Sequence, residues 1–281
     1  MVTVQNQNFS LEQICESGQC FRFNRLNGCY DGQLNDNRYA VIAFGRYLEL
    51  EQQGDSIHFF CEQEEYNEIW EDYFDIKTDY RSFITSVKKE DEYLYRAVQY
   101  GYGIRILKQD IWEMVITFII SQQNNIKRIR KCVETLAARY GERKTKPEGG
   151  DYYSFPGPEA LAAASEEELR DCNLGYRSRY IRQTALNVLN GDVVLDSLWD
   201  MPYGEAKQEL LKLSGIGGKV ADCICLFALH KTEAFPVDTH IKQVFERYYP
   251  QGFPYENYPG YAGVIQQYIF YYDLKKPDNG N

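Results

Sequence analysis

The stretch Leu213-Ser214-Gly215-Ile216-Gly217-Gly218-Lys219-Val220-Ala221-Asp222 is the part of the chain best suited to chemistry. Helix-like periodicity on either side predicts a helix over Tyr203–Leu213, a Gly-x-Gly turn, and a second helix over Lys219–Leu229. Gly215 and Gly217 permit positive φ and let another backbone approach closely. The free amides of the turn and the helix N-terminus behind it face the same way. Such a site suits one phosphate of a nucleic-acid backbone and reads no sequence. Asp238, in Pro236-Val237-Asp238-Thr239-His240, follows Lys219 by nineteen residues. Pro236 ends a loop, and Asp238 is placed to cap the next helix. Taken singly, Lys219 reads as an exposed helix lysine and Asp238 as a cap.

The elements that must position these residues fall into two blocks. Phe21–Asn24 and Tyr30–Leu34 flank Asn27-Gly28, a hairpin signal. Arg38–Phe44 and Tyr47–Leu50 flank Gly45-Arg46, and Ser56–Cys61 is strand-like. An antiparallel sheet of about five strands is expected there. From Tyr66 the period changes, with Tyr66, Ile69, Trp70, Tyr73 and Phe74 at helical spacing. Further helices are predicted over Asp91–Tyr100, Gln109–Ser121, Asn124–Tyr140, Glu166–Cys172, Arg177–Leu189, Asp238–Tyr249 and Tyr261–Asp273. The fold class is α+β, a small N-terminal antiparallel sheet followed by a mostly helical part. The expected boundaries are 1–103 and 104–281, with the Gly-turn hairpin spanning 203–230.

Composition excludes several classes. With 281 residues, 44% apolar and 26% charged, the chain can bury a substantial core. Its longest largely apolar stretch, Met114–Ile120, is far short of the roughly twenty residues a membrane helix needs. Met1-Val2-Thr3-Val4-Gln5-Asn6 lacks the features of a signal peptide, so a cytoplasmic location is expected, at the nucleoid in a bacterium or in the nucleus of a eukaryote. The eight cysteines, with no C-x-x-C, read as reduced thiols. With three histidines and no ligand spacing, no structural zinc is expected.

The net charge of −10 is unevenly spread. Glu49–Asp79 holds eleven Asp or Glu and one Lys, whereas Lys127–Lys146 holds eight Lys or Arg against two Glu. A polyanion feels the local field, so the basic run is a candidate nucleic-acid face despite the total. By itself it reads equally as a solvated helix face.

Leu213-x-Gly-Ile-Gly-x-Lys219 followed by Pro236-Val-Asp238 resembles the helix-hairpin-helix, Gly/Pro-Asp superfamily of DNA base-excision glycosylases. Lys219-Val-Ala-Asp-Cys223 and Ser17-Gly18-Gln19-Cys20-Phe21-Arg22 narrow the resemblance to the eukaryotic-type 8-oxoguanine DNA glycosylases, over Phe9 to Lys275. The resemblance implies a glycosylase and AP lyase acting on duplex DNA. Lys219 would attack C1′ through its amine, and Asp238 would stabilise the cationic sugar. It further implies that the Gly18 carbonyl accepts from N7–H of 8-oxoguanine. Cys223 and Phe270 would sandwich the flipped base, and Gln266 would read its Watson–Crick edge. His240, Gly215 and Gly217 would meet phosphate. Gln123, where the family usually has asparagine, would fill the gap left by the base, and Arg128 and Arg177 would grip the orphaned cytosine beside the Tyr176 wedge. No cofactor is implied, and the chain is expected to act as a monomer on DNA.

Two other readings remain open from sequence. A superfamily member for another damaged base is one, although many of these carry a C-terminal four-cysteine cluster, and no cysteine follows Cys225. The other is a non-catalytic helix-hairpin-helix DNA-binding module, which would need neither Lys219 nor Asp238.

Overall fold

The computed structural model describes residues 1–26, 29–30, 33–34 and 37–276. Short alternating segments give strands β1 (Val2–Gln5), β2 (Phe23–Arg25), β3 (Cys29–Tyr30), β4 (Gln33–Leu34), β5 (Arg38–Ala43), β6 (Arg46–Gln53) and β7 (Ser56–Phe59). Five of them form an antiparallel sheet in the order β1-β7-β6-β5-β2. One face carries Phe23, Val41, Leu48, Leu50, Ile57 and Phe59 into a core closed by Trp70, Tyr73 and Phe74. The latter come from the helical segment Gln63–Tyr73, which contains a π turn over Tyr66–Trp70.

The strand pairing corrects two expectations. The segment around Phe23 pairs with β5, Phe23 opposite Val41, while β3 and β4 form their own small ladder. The expected Asn27-Gly28 turn lies outside the described residues. The outer strand β1, opposite β7 with Val2 facing Phe59, was not anticipated from its four residues. In both cases burial of one sheet face, a long-range effect, decides the partner.

The helices that matter for the site are α1 (Leu11–Glu16), α2 (Glu92–Tyr100), α3 (Ile111–Ser121), α4 (Ile126–Tyr140), α5 (Arg177–Leu189), α6 (Tyr203–Leu210), α7 (Gly218–Phe227), α8 (Thr239–Tyr248) and α9 (Ala262–Lys275). Asp110, Asn125 and Asp238 cap α3, α4 and α8, each accepting a backbone N–H with its side chain. Helix α3 is buried on nearly every side and is the axis of the second core. Between the hairpins of the two parts, β8 (Arg143–Thr145) and β9 (Asp151–Tyr153) pair beside the β5–β6 turn, where Lys144 and Tyr152 donate to the Gly45 carbonyl.

Buried polar side chains tie the two parts together. Arg105, 1% exposed, donates to the carbonyls of Asn8, Phe74, Asp75 and Thr78 and stacks over Tyr80. Gln19 donates to the Arg105 carbonyl and accepts from Leu107 N–H, and Gln109 donates back to the Gln19 carbonyl. These bonds fix the loop that carries Gly18. No described helix is long and apolar enough to cross a membrane, and Cys15, Cys20, Cys61, Cys132, Cys172, Cys223 and Cys225 are free thiols.

Candidate active site

The predicted helix–turn–helix is present as α6, a turn and α7. Gly215 sits at φ +80°, and a Cβ there would meet the Tyr180 ring carbon Cγ at 2.7 Å, so glycine is required on both counts. Thr184 donates to the Ser214 carbonyl at 2.8 Å, anchoring the turn to α5. Gly217 caps α7 and is exposed, leaving the amides of the first turn toward solvent.

Lys219 follows on that first turn. It is exposed as a residue, yet its amine turns inward over Phe118, 5.7 Å from the ring centre. Burial opposes the ammonium form, while Cys223 and Asp238 favour it, and the balance holds the Lys219 pKa above the ordinary lysine value. Burial also pushes the Cys223 thiol up to about 11. The thiol is therefore uncharged at neutral pH, and the Asp238 carboxylate is the charge that favours the ammonium. Asp238 caps α8 as predicted, accepting from Ile241 N–H at 2.9 Å.

Both residues line a pocket with Gly18, Phe118, Cys223, Gln266 and Phe270. Gly18, at φ +76°, lets the Phe270 ring lie against the backbone; its Cβ would be 3.2 Å from Phe270 Cε1. Gln266 is buried and donates to the Pro236 carbonyl at 3.1 Å. His240 Nδ1 lies 3.3 Å from Asp273, and its ring meets Phe270 edge-on at 5.7 Å. The pocket holds only about 50 Å³, against about 300–1,000 Å³ for sites that enclose a small molecule. Phe270, half-buried, is part of that lining.

Across from this pocket the structure groups the second set of expected residues. Gln123 is exposed at φ +47°. Arg177 is 4% exposed, and its guanidinium donates to the carbonyls of Gln122, Gln123 and Leu174. In this structure Arg177 therefore holds the loop rather than facing outward. Arg128 is exposed, and its guanidinium makes a long contact, 3.5 Å, to the Asn173 carbonyl. Tyr176 is 53% exposed at the start of α5, with the Arg177 guanidinium over its ring. The Gln122 side chain donates to the Gly215 carbonyl at 2.9 Å, so the loop also leans on the glycine turn. Sequence reasoning missed Gln122, Phe118 and Gln267. The two glutamines carry no spacing signal, and Phe118 reads as core.

A helix-hairpin-helix with a glycine turn, beside a lysine and a carboxylate, is the arrangement of the helix-hairpin-helix base-excision class. Residues 1–115 match the 8-oxoguanine DNA glycosylase N-terminal domain, and residues 116–252 match the HhH-GPD superfamily of base excision DNA repair proteins. The probable N-glycosylase/DNA lyase of Methanothermobacter thermautotrophicus is 31% identical over 226 residues, 70% of this chain and 71% of its own. The Saccharomyces cerevisiae N-glycosylase/DNA lyase is 38% identical over 158 residues; the match spans 52% of this chain but only 42% of the yeast protein. The Clostridium acetobutylicum 8-oxoguanine glycosylase/lyase, solved with double-stranded DNA containing cytosine opposite 8-oxoG, superposes with a TM-score of 0.87 at 34% identity, covering 95% of this chain and 92% of that one. The chain belongs to the N-glycosylase/DNA lyase family of 8-oxoguanine glycosylases.

Proposed function

We propose that this chain flips 8-oxoguanine out of duplex DNA, cleaves its N-glycosidic bond and then nicks the strand by β-elimination. The observation that carries this reading is the meeting of Lys219 and Asp238 in the lining of one pocket with Gly18 and Gln266. A phosphate clamp alone has no use for either charged group.

Lys219, as the neutral amine, attacks C1′, and the base leaves with the bonding electrons. Asp238 stabilises the cationic sugar before the new C–N bond is complete. The product is an aminal; as the nitrogen loses a proton the C1′–O4′ bond breaks, O4′ takes up a proton and a Schiff base forms, which makes the C2′ proton acidic, and loss of that proton expels the 3′ phosphate. Gly18 offers its carbonyl to N7–H, which guanine lacks, so one acceptor separates lesion from normal base. Cys223 and Phe270 stack on either side of the flipped ring, and Gln266 reads its pairing edge. His240, Gly215 and Gly217 take backbone phosphates. Gln123 enters the gap, Tyr176 wedges beside it, and Arg128 and Arg177 face the orphaned cytosine; for Arg177 this requires leaving its loop carbonyls.

The unit boundary we favour is 103/104, at the edge of the Gln19–Gln109 ties. The working form is a monomer on double-stranded DNA, wherever the cell keeps that DNA, and the chemistry needs no cofactor. Incubation with duplexes carrying 8-oxoguanine, 3-methyladenine or undamaged guanine opposite cytosine tests the reading. We expect base release and a nick with the first alone; equal release of 3-methyladenine, or none from 8-oxoguanine, would overturn it.

A further inference from the structure

Gln267 neighbours Gln266 on α9 and lines the same pocket. It is 3% exposed. Its Nε2 donates to Gln266 Oε1 at 3.1 Å, which fixes the amide orientation of both residues. Gln266 Nε2 is in turn held by the Pro236 carbonyl. The Gln267 Oε1 is shielded from solvent and has no hydrogen-bond partner. A buried acceptor without a partner is costly. A glutamine kept there in a pocket already fitted for a base points to a donor supplied by the ligand.

We infer that Gln267 is a second base-reading amide, whose Oε1 accepts from the exocyclic 2-amino group of the flipped purine while its Nε2 aligns Gln266 on the neighbouring part of the same edge. The inference rests on the pocket being the base site proposed above. A guanine-type edge offers N1–H and the 2-amino group side by side, and two adjacent glutamines offer two adjacent acceptors. Gln267 thereby favours 8-oxoguanine over 8-oxohypoxanthine, which has the same C8 oxygen and N7–H but no 2-amino group. Gly18 handles the oxidised side of the ring; Gln267 handles purine identity.

The test compares wild type with Gln267→Met, which keeps the length and removes the polar atoms, in single-turnover excision of 8-oxoguanine and 8-oxohypoxanthine, each opposite cytosine. A hydrogen bond from a neutral amino group corresponds to about threefold to tenfold. We expect the ratio of the two rates to fall by about that factor in Gln267→Met. An unchanged ratio, with both rates equally reduced, would leave Gln267 only the alignment of Gln266 and overturn the direct contact. Wild type failing on both substrates would instead refute the proposed function. Gln267→Leu, a second apolar replacement, should lower the same rate ratio, and a ratio unchanged in both variants would overturn the direct contact.

Discussion

On the proposed base side, Lys219, Asp238, Gln266 and Gly18 already line one pocket, with the Phe270 ring lying against Gly18. On the proposed orphan-base side, Arg177 is bonded to the carbonyls of the loop proposed to enter the duplex, while Arg128 is exposed. The difference lies in what each surface must do before it meets DNA. Under the proposed function the catalytic groups are already gathered, whereas reading of the opposite base by Arg177 would exchange hydrogen bonds from protein carbonyls to a nucleobase, at little net change in their number.

The largest expected effect concerns the preassembled side. Lys219→Gln should abolish base release by the covalent route and all lyase activity while leaving duplex binding intact, because the glycine turn keeps its amides; nicking assays and fluorescence anisotropy read the two quantities separately. The same residue sets the pH response. Its pKa lies above the ordinary lysine value, so the neutral amine is a minor form at neutral pH and grows by about tenfold per unit as pH rises. Single-turnover rates should therefore climb from pH 6 to pH 8; a flat profile would mean that DNA binding has already removed the proton. Phe270→Ala opens the pocket but removes a stacking face, and since stacking on an aromatic ring contributes about 1–3 kcal/mol per base, excision of 8-oxoguanine should slow by about tenfold to a hundredfold.

On the orphan-base side the effects should be smaller and should separate the two arginines. A guanidinium donates but does not accept, which suits O2 and N3 of cytosine better than the edge of adenine. Arg128→Ala should cut the preference for cytosine over adenine by about tenfold, within the discrimination of one good base contact. Arg177→Ala should instead slow excision opposite every base alike, because the loop loses its anchor; a selective loss opposite cytosine would show that Arg177 exchanges its bonds on DNA. Smallest of all, Lys127→Ala, on the exposed face of α4, should reduce the log–log salt slope of binding by about 0.9 and leave the opposite-base ratio unchanged.

This contrast also explains what could be read from the residues. The glycine turn, the Asp238 cap and the change from strand to helical period are local signals, and the structure has α6, α7, α8 and the sheet where those signals lie. Strand partners were less legible. Asn27-Gly28 is a strong local turn signal, yet Phe23 pairs with Val41, because the apolar face of β2 must join the Phe59–Trp70 core. The base-side residues were named through the resemblance to the glycosylase family, carried by the stretches around Ser17–Arg22 and Lys219–Asp238. The position of Arg177 was not legible, since it depends on carbonyls turned inward by a loop with Gln123 at positive φ. Gln267 carried no signal at all: one more amide on an apolar helix becomes informative only when its partner is missing.

The most direct measurement is borohydride trapping with a duplex carrying 8-oxoguanine opposite cytosine, followed by peptide mapping of the adduct by mass spectrometry. We expect a covalent protein–DNA species linked through Lys219, absent in Lys219→Gln. An adduct on any other residue, or trapping undiminished in Lys219→Gln, would contradict the assignment of the nucleophile.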